Sequence, residues 1–287
     1  MLCFYGTCVI AGFAQPVAVA PRWQVNFPAT ANGIATESTA VPIDDGSTLV
    51  VVVAAGADPA SPKLKVGNRL ILVKVIGHDP VSRVGFIKVE GNEIPRSIEW
   101  SNEVGENAAA ALRTMEAGGS FKCRATGWVK QVGGKILPLA LLRVSFSRAV
   151  PPPGTPLIDE AGRVVAIVFQ SAGNGNTGYA IPAEAVHRVK QDLGSGGKLV
   201  RGWLGLALRA ESQLPQISRV LPDSPAAAAG IRVNDVILSI GARQVADYAD
   251  AANAFFYLVP EQPVSVKLLR NAEQLEINLT PAKPRDL

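Results

Sequence analysis

The sequence predicts a mainly β protein, a barrel or sandwich followed by a smaller α+β unit. Three observations carry this. From Val41 onward, short runs rich in Val, Ile and Leu recur between Gly, Pro and Asp turns, the spacing expected of barrel strands. Gly194-Ser195-Gly196-Gly197-Lys198 then interrupts the chain as a flexible, low-complexity joint. Beyond it, strand and helix signals alternate within the span of one small domain.

A chain of 287 residues has room for two domains of ordinary size. Hydrophobic residues make up 48% and charged residues 18%, a balance that argues for packed cores and against disorder. The net charge is +4, but lysines and arginines are scattered with no run of five, so no nucleic-acid partner is expected. Cys3 and Cys8 fall in the N-terminal apolar stretch, leaving Cys123 alone in the body of the chain, without a partner for an internal disulfide. There is no CxxC and no Cys/His cluster, so neither a metal nor a small-molecule cofactor is expected.

In chain order, residues 1–20 read as a signal peptide: an apolar run with small residues near Ala11-Gly12-Phe13-Ala14-Gln15, although no Lys or Arg precedes it. This predicts export to the periplasm or cell envelope, with the segment serving as a membrane tether if it is not cleaved. Residues 21–40 are Ala/Thr/Asn-rich and read as an extended leader. The barrel unit spans 41–193, with strands expected at Thr48–Val53, Arg69–Ile76, Val84–Val89, Phe121–Val132, Ile136–Phe146, Arg163–Phe169 and Gly178–Ile181. Asn107–Glu116 has helical composition, although its β context also fits a loop and strand. Pro182–Leu193 reads as a helix with Pro at its start.

After the 194–200 linker comes the second unit, residues 201–283. Ser224 is placed to cap a very short helix, Pro225–Ala229, that ends at Gly230. Such a helix is barely stable alone, and the strands expected at Gln216–Leu221 and Asp235–Ile240 would support it. A second helix is expected over Asp247–Leu258, then a hairpin, Val264–Arg270 and Gln274–Leu279.

Val220-Leu221-Pro222-Asp223-Ser224-Pro225-Ala226-Ala227-Ala228-Ala229-Gly230-Ile231-Arg232-Val233-Asn234-Asp235-Val236-Ile237 closely resembles the core of bacterial, circularly permuted PDZ domains. Asn234 stands where Gly is usual, and Asn also tolerates positive φ. The resemblance places a peptide-binding loop at Arg201-Gly202-Trp203-Leu204-Gly205-Leu206. Successive N–H groups in a Gly-containing turn form a nest for a carboxylate, and a strand edge starting at Leu206 can accept an extended peptide. By analogy Leu204, Gly205 and Leu206 would hold a C-terminal carboxylate, while Leu204, Leu206 and Phe255 would line the pocket for the last side chain. The competing reading makes those three apolar residues plain core.

The barrel unit resembles the trypsin-like domain of the HtrA/Do family. Pro151-Pro152-Pro153-Gly154-Thr155-Pro156-Leu157 stands where that family carries Gly-Asn-Ser-Gly-Gly-Pro-Leu; the strands and turn around Gly162 and the run Gly178-Tyr179-Ala180-Ile181-Pro182 follow in family order. Aligned on Gly154, Pro156 and Leu157, the nucleophile position falls on Pro153. The two oxyanion donors of the family would be the N–H groups of residues 151 and 153, and proline has none. Gly77-His78-Asp79-Pro80-Val81-Ser82-Arg83 puts Arg83 at the position of the catalytic Asp. The chain has only His78 and His187, and neither falls where the family places its base, so His78 reads as a surface residue.

The resemblance therefore implies a degenerate trypsin-like double β-barrel carrying a PDZ domain that binds C-terminal or unfolded protein segments, alone or in homo- or hetero-oligomers with HtrA relatives. Two alternatives stay open: an active serine endopeptidase using another serine, and a structural subunit that modulates active relatives.

Overall fold

The computed structural model describes residues 23–90, 96–101, 111–116, 119–173, 175–194, 200–209 and 212–284. The signal-peptide reading, Cys3, Cys8 and most of the linker lie outside them.

The first eight strands are β1 (Trp23–Phe27), β2 (Thr36–Thr39), β3 (Val41–Ile43), β4 (Thr48–Val52), β5 (Lys63–Val66), β6 (Arg69–Ile71), β7 (Val73–His78) and β8 (Val84–Val89). They form two antiparallel sheets of order β2-β1-β5-β6 and β3-β4-β8-β7. Trp23, Val25 and Phe27 close on Leu49, Val51, Leu64 and Ile87 as one core. This corrects the extended-leader reading of residues 21–40. Trp23-Gln24-Val25-Asn26-Phe27 alternates apolar and polar, the period of a half-buried strand, but over too few residues to stand out. The single strand expected at Arg69–Ile76 is two, split at Leu72 between the sheets.

Six further strands form a closed barrel. They are β9 (Ala111–Thr114), β10 (Lys122–Val132), β11 (Lys135–Phe146), β12 (Pro156–Ile158), β13 (Val164–Ser171) and β14 (Thr177–Pro182). Ala111–Thr114 is thus strand and not helix, because Leu112 and Thr114 are buried while Ala111 and Arg113 face out. Cys123 lies inside this barrel, where burial pushes its thiol up to about 12 and makes it inert. Helix α1 (Ala183–Leu193) follows, with Pro182 in the N-cap position and not inside the helix.

The second unit contains β15 (Leu206–Leu208), β16 (Ile217–Val220), α2 (Pro225–Ala228), β17 (Val236–Ile240), β18 (Arg243–Gln244), α3 (Tyr248–Phe256), β19 (Val264–Arg270) and β20 (Glu273–Leu279). Among the described residues β15 pairs only with β16, while β18-β17-β19-β20 form a four-stranded sheet. The Ser224 side chain accepts from Ala227 N–H at 3.1 Å, and that of Asp247 accepts from Asp250 N–H at 2.7 Å, so both helices are capped. Asn234 has φ +73°. Next to it, Asp235 is buried and receives Nε and Nη2 of Arg270 at 2.8 and 2.7 Å and the Arg232 amide at 2.8 Å. Burial alone would raise its pKa, but the Arg270 guanidinium and the amide hold the carboxyl below the usual range. This contribution to stability is present above the ordinary carboxylate pKa and lost as pH falls through the lowered one.

The two units share a contact. Phe256 of α3 packs with Leu139, Leu141, Val189 and Leu193 of the barrel unit. Asn253 Oδ1 accepts from Ala140 N–H at 2.9 Å.

Candidate functional site

Two places could act on another molecule: the loop at 151–155 and the edge of β15.

At the loop, Pro153 contributes only a carbonyl, which accepts from Thr39 N–H at 2.8 Å. Gly154 has φ +80°, and a Cβ there would come within 2.1 Å of the Thr39 carbonyl oxygen, so the turn requires glycine. Thr155 is buried, and its hydroxyl donates to the Pro152 carbonyl at 2.8 Å, a structural contact. Ser38, which no local motif marks, lies beside this loop. It is fully buried; its Oγ accepts from Val52 N–H at 2.9 Å, donates to the Thr39 carbonyl at 3.0 Å and lies 3.4 Å from the Pro153 carbonyl. Just beyond β4, Val53 N–H bonds to the carbonyl of Arg83, whose φ is +65°. Among the described residues, the polar atoms that tie β2, β4, Arg83 and the proline loop together are thus main-chain groups and hydroxyls, with no imidazole or carboxylate bonded among them. A serine nucleophile needs a base within hydrogen-bond reach, and the Ser38 hydroxyl has only main-chain partners among the described residues.

His78, read as a surface residue, ends β7 half-buried; burial lowers its pKa, with the Asp79 charge acting in the other direction. Asp79 is fully buried but serves its own turn, accepting from Val81 N–H, Ser82 N–H and Ser82 Oγ at 3.0, 2.9 and 2.6 Å. It also pairs with Arg201, at the start of the second unit. His187 lies on α1 edge-on to Trp100, with ring centroids 6.0 Å apart, and burial lowers its pKa as well.

At the β15 edge, the Trp203 and Ala282 main chains exchange hydrogen bonds of 2.8 and 2.9 Å, and Gly202 N–H donates to the Leu258 carbonyl at 3.0 Å. These contacts anchor the loop. The Leu204 and Gly205 carbonyls accept from Ala226 and Leu221, while the N–H groups of the same two residues have no main-chain acceptor among the described residues. Gly205 has φ +76°, and a Cβ there would fall 2.1 Å from the Ser224 Cβ. Leu204 is buried in the unit's core, whereas Leu206 and Phe255 are half-buried against it. Helix α3 has three faces. Ala251 and Ala254 enter this core, Asn253 and Phe256 meet the barrel, and Tyr248, Ala252 and Phe255 stay partly exposed at helical spacing.

Residues 202–280 match the PDZ domain family. This unit is a PDZ domain. Over the larger part of the chain, the relatives are proteins named probable periplasmic serine endoprotease DegP-like. The one from Ectopseudomonas mendocina is 30% identical over 230 residues, covering 72% of this chain and 48% of its own length. The one from Marinomonas sp. is 26% identical over 252 residues, covering 80% and 53%. The chain therefore spans about half the length of these relatives. Among solved structures, the HtrA-type protease AlgW with a tripeptide superposes with a TM-score of 0.67 at 19% identity, covering 94% of this chain and 96% of that one. A serine endoprotease from Yersinia pestis superposes at 0.58 and 21%, covering 94% and 97%. The chain has the HtrA-type fold: trypsin-like barrels followed by a PDZ domain.

Proposed function

We propose that this protein is a non-catalytic HtrA-like component of the cell envelope that binds hydrophobic C-terminal or extended protein segments through its PDZ groove. The observation that carries this reading is the pairing of two sites. The loop at 151–155 offers a proline carbonyl where the family resemblance would put a nucleophile, while the loop at 203–206 has two N–H groups with no main-chain acceptor among the described residues, beside the edge of β15 that faces away from β16. A peptide carboxylate would bind the Leu204 and Gly205 amides, its backbone would extend β15, and its last side chain would rest against Leu206 and Phe255. The periplasmic names of the relatives support the location.

Those same names favour the second reading, an active serine endopeptidase. Exposing the chain to a fluorophosphonate probe and to unfolded casein separates the two, because labelling or cleavage would refute the non-catalytic reading. Installing the missing nucleophile alone, as Pro153→Ser, is expected to leave both assays blank, since neither a base nor the residue-151 donor returns with it. On the binding side, Gly205→Ala is expected to weaken a free-carboxylate peptide by about tenfold or more, the cost of losing one or two charge-assisted hydrogen bonds. Isothermal titration of the full chain reads that change.

A further inference from the structure

The long β10–β11 hairpin meets the PDZ domain at one end, where Lys130 pairs with Asp250 and Ala140 bonds to Asn253. At its other end lies a cavity of about 650 Å³ that neither candidate site uses. Three cations line it: Arg113 on β9, and Lys122 and Arg124 on β10. Their direction is fixed by strand alternation. Leu112, Cys123 and Ala125 fill the barrel interior, so the residues between them must face out. Register then places Lys122 directly opposite Arg113, and Arg124 opposite Ser145 of β11. Like charges facing each other across a ladder destabilise it, and none of the three cations has an ion-pair partner among the described residues. Two acids also border the cavity. Asp159 is occupied by Arg163, which donates from its amide at 2.9 Å, from Nε at 2.9 Å and contacts it from Nη2 at 2.8 Å; Glu160 is exposed. The cavity thus keeps a positive excess, with the Ser145 and Ser147 hydroxyls alongside.

We propose that this cavity binds a compact ligand carrying two or more phosphate groups. Two guanidinium forks match phosphate oxygens in bidentate geometry, and the lysine adds a point charge. The volume lies in the range of small-molecule sites and is too small for a length of acidic polypeptide. The ligand would also remove the repulsion between Arg113 and Lys122. The same chemistry is found in soluble oligophosphates and in lipid headgroups that carry two or more phosphates.

Titrating the full chain with sodium tripolyphosphate, by calorimetry at two ionic strengths, tests this. Binding should weaken with salt and fall about tenfold or more in Arg113→Gln/Arg124→Gln, as expected for losing two charge-assisted contacts. Both arginines are exposed, so the variant should keep a cooperative melt. Competition by vesicles containing phosphatidylinositol bisphosphate, but not by pure phosphatidylcholine, identifies a lipid headgroup; competition by soluble phosphates alone identifies a free ligand. The proposal is overturned if tripolyphosphate does not bind, if the double variant binds it equally well, or if polyglutamate binds in preference to it. Because the peptide groove takes no part, a failure here leaves the PDZ reading untouched, and the reverse also holds.

Discussion

Phe256→Ala is expected to destabilise the protein by about 3–5 kcal/mol, the usual cost of emptying a buried phenylalanine site. Phe256 is 3% exposed and packs with residues of both β11 and α1, so the lost contacts are those that join the PDZ domain to the barrels. The Arg201 guanidinium stacks 4.2 Å from its ring centroid, and Tyr257 meets it edge-on at 5.1 Å. Thermal unfolding followed by calorimetry should show the variant melting earlier and in two steps, as the domains uncouple. Phe255→Ala is the informative neighbour. Half-buried on another face of the same helix, it should cost less stability and act mainly on peptide affinity.

Arg201→Ala is expected to cost a similar about 3–5 kcal/mol, because it removes the cation from a buried network and leaves carboxylates behind. Arg201 pairs with Asp79 and lies 3.5 Å from Asp192, while Arg188 Nη2 reaches Asp192 and the Leu258 carbonyl at 2.5 Å each. The side chains of Asp79 and Asp192 are fully buried. Burial pushes the Asp192 carboxyl up to about 6, against the pull of Arg188 and Arg201. A carboxyl whose pKa is higher when folded binds more protons in the native state, so its contribution to stability declines as pH rises from about 4 to 6. His78 and His187, whose pKa values are lowered, act with the opposite sign, and the comparison must therefore be a difference. Relative to the wild type, Asp192→Asn should lack this decline between pH 4 and 6, measured by urea denaturation across that range. Equal slopes would refute the assignment.

What the sequence revealed depended on how local each signal was. The Ser224-Pro225-Ala226 cap, the positive-φ Asn234 and the anchoring Asp235 all act within a few residues, so a short motif announced them and the PDZ domain with them. The proline loop is equally local, because Gly154 must keep its φ and Pro156 and Leu157 lie in the barrel strand β12. Ser38 is different. It reaches the proline loop across more than a hundred residues, and nothing near it in the chain marks it. The same is true of Arg113, Lys122 and Arg124, which look scattered until β9 and β10 pair, and of Phe256, which reads as one more core residue until the PDZ domain docks. Trp23–Phe27 is hard to read from the sequence for another reason: five alternating residues are a weak period.

Action through the PDZ groove is the function we propose for this chain. Its most direct test is a fluorescence-polarisation titration of the full chain with a hydrophobic peptide ending in a free carboxylate, against the same peptide with an amidated C-terminus. Saturable binding of the free form is expected, with affinity reduced about tenfold or more by amidation, since the Leu204 and Gly205 amides would lose a charged acceptor. Equal binding of the two forms, or no binding of either, would contradict it.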